Sequence, residues 1–160
     1  MKIKPPDIII GIDPSIRHNG IAVLSVDGAA METEECGPVE SITACELLRK
    51  TAEIARREEL RVLALIECPT WSGRGTKEVR AAALAWERVL QREFAKRQVF
   101  RVDPRVWQKH LLGSTVGATK ELSMLRAALL LYKQADSDHE ADAVCICEFA
   151  RLMAAGLVSP

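Results

Sequence analysis

The chain has 160 residues, 48% of them hydrophobic and 28% charged, with 22 Lys and Arg against 22 Asp and Glu. That length and composition fit one globular domain, residues 1–160, able to bury a core without disulfide staples. No apolar run reaches the roughly 18 residues a membrane span needs. The N-terminus shows no secretory signal, so an intracellular, cytoplasmic protein is expected. Five cysteines without a CxxC pair argue against a disulfide framework or a zinc site, and read as small buried hydrophobes.

The zero net charge hides an uneven distribution. Residues 1–70 carry 8 basic and 12 acidic side chains, residues 71–135 carry 13 and 5, and residues 136–160 carry 1 and 5. A basic middle between acidic ends suits a surface for phosphates beside a pocket for cations. Charges scattered over solvated helix faces would give the same counts.

In chain order, Ile8–Ile12 is a β-branched run stopped by Asp13-Pro14, which predicts a buried strand and a turn. Residues 20–27 predict a second strand. Asp27-Gly28 then offers a hairpin turn into a third strand near Ala30–Cys36. Apolar residues recur at helical spacing from Ser41 to Glu59. Residues 61–67 form another apolar strand, closed by Cys68-Pro69. Thr76 to Lys96 predicts a long helix, Gln98–Val102 a short strand, and 105–112, 118–134 and 138–155 three further helices. The order βββ, α, β, α, β and then helices predicts a mixed sheet with helices on its faces.

Acidic residues stand where these elements end. Asp13 closes the first strand and Glu67 the fourth. His139 and Asp142 lie at the start of the last helix, three residues apart and so on one face. Asp13 before a proline is also an ordinary turn residue. A carboxylate such as Glu67 on a central strand is costly unless paired, protonated or bound to a cation. Ser137 and Glu140 read as a capping box, which accounts for the acids around Asp138 without function. Asp142 nevertheless begins an apolar stretch and should face the sheet, with Glu140 pointing elsewhere. Carboxylates plus a histidine at one site suit Mg²⁺ or Mn²⁺. Two such ions about 4 Å apart hydrolyse phosphodiesters without a nucleophilic Ser or Cys.

The motifs also resemble a family. Gly11-Ile12-Asp13-Pro14 through Gly20, Ala64-Leu65-Ile66-Glu67, and His139-Glu140-Ala141-Asp142 are similar, in that order, to the acidic motifs of RuvC-type resolvases. The segment Val102 to Lys109, with Gly113 and then Ala118-Thr119-Lys120, is similar to that family's basic segment. The resemblance implies an RNase H-like α/β fold: a five-stranded sheet of three antiparallel then two parallel strands, with helices on both faces. It implies a homodimer that cuts four-way DNA junctions with two Mg²⁺ ions per site. Asp13, Glu67, His139 and Asp142 would hold the metals, Asp138 would supplement or replace His139, and Lys109 and Lys120 would lie near the scissile phosphates. Arg74, Lys77 and Arg80 are further candidates for phosphate contacts, and Trp71 for stacking on an unpaired base. Trp107 reads as a packing residue. Cutting of other branched DNA (three-way junctions, forks or flaps) and junction binding without catalysis are the alternatives.

Overall fold

The computed structural model describes residues 4–26 and 30–159. Five strands form one sheet: β1 (Ile8–Asp13), β2 (Asn19–Ser25), β3 (Met31–Cys36), β4 (Val62–Glu67) and β5 (Arg97–Val102). Five α-helices join them: α1 (Glu46–Arg57), α2 (Thr76–Glu93), α3 (Pro104–Leu112), α4 (Thr119–Leu131) and α5 (Asp138–Ala154). The strand order is β3-β2-β1-β4-β5. β1–β2 and β2–β3 pair antiparallel, whereas β1–β4 and β4–β5 pair parallel. This is the predicted mixed sheet. The expected Asp27-Gly28 turn lies outside the described residues.

Side chains alternate across a strand, so each strand feeds two layers. Ile8, Ile10 and Ile12 of β1, with Ile21, Val23, Val62, Ala64 and Ile66, pack against α1 and α2 through Leu48, Ala52, Trp86 and Leu90. The other face presents Ile9, Ala22, Leu24, Leu63 and Leu65 to α3, α4 and α5. Helices therefore cover both faces. α5 is the most deeply set: Ala141 and every residue from Ala143 to Ala150 are buried. A helix that is apolar nearly all round belongs in the interior.

Two glycines let α5 come this close. A Cβ on Gly20 would stand 1.9 Å from the His139 carbonyl oxygen, and one on Gly11 would stand 2.3 Å from both the Ala143 oxygen and the Cys147 nitrogen. Gly11 and Gly20 lie on adjacent strands, on the face that α5 covers. The helix backbone rests on their bare Cα atoms.

Element boundaries differ from the sequence reading in two instructive places. The expected helix from Ser41 is instead a 3-10 turn over Val39–Ala44, then Cys45 in extended geometry (ψ 119°), then α1. Cys45 has no capping side chain. The Glu34 carboxylate of β3 takes that role, accepting from the Glu46 and Leu47 amides at 3.2 and 2.6 Å. α2 stops at Glu93 rather than Lys96, because Phe94 turns extended and is buried in the core.

Gly20→Ala is expected to cost about 3 kcal/mol, since backbone rather than a movable side chain meets the new methyl group. Urea denaturation checks this. Gly73→Ala, whose nearest neighbours are at 3.6 Å, should change stability by less than about 0.5 kcal/mol.

Candidate active site

Asp13 is the last residue of β1 and Glu67 the last of β4. Ile12 is in register with Ile66, so Asp13 and Glu67 end neighbouring parallel strands side by side. Counting alternately from Ile9 and Leu65 puts both carboxylates on the α5 face. α5 starts above them. Ser137 caps it, accepting from the Glu140 amide at 3.2 Å, while the Glu140 carboxylate reaches back to the Asp136 amide at 3.0 Å. The capping box is thus present, stretched by one residue, and it turns Glu140 away from the acidic cluster. His139 and Asp142 face the strand ends, and His139 Nδ1 lies 2.7 Å from Asp13 Oδ2.

The electrostatics follow from crowding acids at a dry sheet edge. Burial raises the Asp13 carboxyl above its ordinary value, partly offset by the bond from His139. Burial, then the Asp13 charge, lifts Glu67 well above the usual carboxylate range, with the Trp107 N–H opposing. Burial and the Asp13 charge push Asp142 up to about 7, with the Ser123 side chain opposing. The hydrogen bond to Asp13 raises His139. Negative charge here exceeds its local compensation, and a bound cation relieves that condition.

The donor set is hard oxygen with one imidazole, which fits Mg²⁺ or Mn²⁺. The ligand atoms do not form a tight trio: among the described residues, Asp13, Glu67 and Asp142 are not all within 4.8 Å of one another. Opposite ligands of one octahedral Mg²⁺ are about 4.2 Å apart.

The other expected residues fall into separate groups. Lys120 of α4 forms an ion pair with Asp138 at the start of α5, which places both at the rim. Lys109 lies on α3 in a cleft of about 630 Å³ lined by Thr70, Arg101, Asp103, Arg105 and His110. Trp71 and Arg74 are exposed on the segment joining β4 to α2, and Lys77 is exposed in the first turn of α2. The Arg105 guanidinium lies 4.5 Å from the centre of the Trp71 ring. Arg80 is half-buried, and its guanidinium donates to the carbonyls of Pro69, at 2.8 Å, and Trp71. It braces the loop that carries Trp71.

Several contributors were not singled out from sequence. Trp107 is fully buried, as a packing residue should be, but its Nε1–H also donates to Glu67 Oε2 at 2.7 Å. His18 stacks on His139, with ring centres 5.8 Å apart and planes 16° from parallel, and its Nδ1 meets Glu35 at 3.0 Å. Asn19 is buried. Its Oδ1 accepts from the Ser15 amide and Trp86 Nε1, and its Nδ2 donates to the Gly37 carbonyl. Asn19 therefore fixes the loop that follows Asp13. His18 and Asn19 fall inside the Gly11–Gly20 motif; Ser123 leaves no local signal.

No protein-family model matches the chain. A crossover junction endodeoxyribonuclease RuvC from Bartonella tribocorum is 25% identical over 144 residues, covering 86% of this chain and 84% of that protein. Among solved structures, Thermus thermophilus RuvC in complex with a Holliday junction substrate superposes with a TM-score of 0.62 at 21% identity, covering 96% of this chain and 98% of that one. A second Thermus thermophilus RuvC structure gives 0.62 at 20% identity, covering 96% and 99%. The chain resembles RuvC-type resolvases in sequence and in fold, and its architecture is the RNase H-like α/β fold.

A carboxylate also holds the loop after β4. Asp103 caps α3 through the Arg105 amide at 3.0 Å and accepts from the Thr70 amide at 3.0 Å. Burial alone would raise its pKa, but the hydrogen bonds from Arg105 and Thr70 hold it far below the usual range. A depressed carboxylate contributes stability above its unfolded pKa of about 3.9, and loses it as pH falls through the folded value. Asp103→Asn should therefore lower the unfolding midpoint near pH 7, with the gap to the parent narrowing steadily below about pH 4. Urea titrations across that range provide the check.

Proposed function

We propose that the chain is a structure-selective DNA endonuclease that resolves Holliday junctions by metal-dependent phosphodiester hydrolysis. The observation that carries this reading is the meeting of Asp13, Glu67, His139 and Asp142, drawn from two strand ends and a helix start, in one under-compensated acidic cup. The RuvC relative and the junction-bound RuvC structure supply the substrate class.

Asp13, Glu67, Asp142 and His139 would hold two Mg²⁺ ions, with Mn²⁺ able to substitute. Bound there, the metal supplies an activated water and a counter-charge for the leaving oxygen. The residues of the chain do the rest. Trp107 orients Glu67. Asp13 and His139 are pre-paired, so both ligands are already aimed at the same space. Lys120 sits at the rim, where its ammonium can exchange Asp138 for a phosphate oxygen and stabilise charge in the transition state. Asp138 is then a reserve carboxylate at the mouth of the cup.

DNA would be gripped by Arg74, Lys77 and Lys109, all exposed. Arg80 would act indirectly, by holding the loop of Trp71. Trp71, stiffened by Arg105, offers a flat face for an unpaired base at a branch point. Paired nicks need two sites, hence a homodimer. The cup itself accepts any branched duplex whose phosphates reach it, so the junction preference has to come from Trp71 and the spacing of the two sites.

Asp13→Asn and Asp142→Asn are each expected to slow Mg²⁺-dependent cutting of a four-way junction by roughly a thousand-fold or more. Junction affinity should change less than about threefold, because phosphate contacts come from Lys and Arg. Gel assays on labelled four-way, three-way, flap and linear DNA would read both quantities; undiminished cutting by the two variants would sink the site. Lys77→Ala should weaken binding of all branched substrates alike and reduce the salt slope of log K by about 1.

A further inference from the structure

A second set of metal-ligating side chains lies on the opposite face of the sheet. Cys36 ends β3, Cys45 directly precedes α1, and Glu34 shares the Cys36 face of β3 because it is two residues away. One ligand atom from each lies within 4.8 Å of the other two, and both cysteines are free and only 3% exposed. This is the one such trio of His, Cys, Asp or Glu among the described residues. We infer that Glu34, Cys36 and Cys45 bind a zinc ion, or a cation of like softness, that clips the edge strand β3 to the start of α1.

The geometry suits the ion. Tetrahedral zinc with bonds of about 2.3 Å to sulfur and about 2.0 Å to oxygen sets its ligand atoms about 3.5–3.8 Å apart. The three atoms need to close by at most about 1.3 Å. Glu34 is already oriented. Its two oxygens each accept one backbone amide from the first turn of α1, and a carboxylate retains lone pairs beyond those two bonds. Two thiolates with one carboxylate exclude Mg²⁺ and Ca²⁺, which require oxygen shells, and select zinc-like ions. The complex would carry one net negative charge, which the α1 N-terminus opposes through its dipole. Glu34 has no Lys, Arg or His ion-pair partner among the described residues, and its half-exposed position leaves a fourth coordination place open to water.

The clip would also reach the loop after Asp13. Cys36 pairs in register with Asn19, the residue that ties Ser15, Trp86 and Gly37 together. The odd cysteine count and the missing CxxC pair predict no zinc site, because they consider spacing along the chain. Here eight residues separate the two cysteines, and a 3-10 turn folds them back on each other.

The test uses the reduced, metal-free full chain. Titration with Co²⁺ alone should develop one equivalent of thiolate-to-cobalt charge-transfer absorption, abolished by Zn²⁺. Cys36→Ser or Cys45→Ser should remove the band, and Glu34→Gln should weaken Co²⁺ binding at least about tenfold. Asp13→Asn should leave the band intact, which separates this site from the acidic cup. A band that survives in both cysteine variants, or no band at all, would overturn the inference. Should those variants fail to fold, zinc-edge X-ray absorption on the parent protein decides the matter: two sulfurs in the shell support the site, and a shell of only nitrogen and oxygen refutes it.

Discussion

The contact on which everything else depends is the seat of α5 on bare backbone. Where Gly11 and Gly20 lie beneath it, the helix approaches the sheet closer than any side chain would allow. That approach does two things at once. It buries a helix that is apolar on almost every side. It also lowers the helix start until His139 reaches Asp13. A helix held off by even one methyl group would leave His139 and Asp142 above the strand ends instead of among them. Packing and chemistry are therefore the same constraint here.

The strand ends contribute through register. Parallel pairing of β1 with β4 makes Asp13 and Glu67 terminate together on one face. Antiparallel pairing of β1 with β2 puts Gly20 opposite Asp13, so the residue that admits α5 is the partner of the first carboxylate. A one-residue slip in either pairing would send a carboxylate to the α1–α2 face, into an apolar layer with no cation to receive it. The cup is costly to build, since burial raises Asp13, Glu67 and Asp142 together. Folding tolerates that cost because the cluster sits at the edge of a large core, with His139 satisfying Asp13 and Trp107 satisfying Glu67.

Much of this was legible in the sequence. Apolar runs that stop at Asp13 and Glu67 announced both strands and their terminal acids, and the i, i+3 spacing of His139 and Asp142 announced a shared helix face. The order of elements was enough to predict the mixed sheet. What the sequence withheld were contacts made across the fold. Nothing near Trp107 says that its indole N–H serves a carboxylate forty positions earlier. Glu34 gives no hint that it caps a helix twelve residues on. Arg80 reads as one more surface cation, yet it is committed to two loop carbonyls. Local pattern encodes which face a residue takes; it does not encode which distant polar group will be left needing a partner.

The sheet also sorts donor chemistry by side. The carboxylates of Asp13, Glu67 and Asp142 gather on the α5 face, and both sulfurs of the Cys36–Cys45 pair lie with the α1–α2 layer, beside the Glu34 carboxylate. The aliphatic side chains of the sheet separate the two groups. Asn19 is the bridge between them. It lies in register with Cys36 on one strand, and it holds the turn that presents Asp13 on the next. Stiffening the edge strand thus acts on the acidic cup without lending it a ligand. In a sheet whose buried carboxylates sit at strand ends, the loop leaving each strand is where geometry is most easily lost, and a brace anchored on the opposite face restrains it.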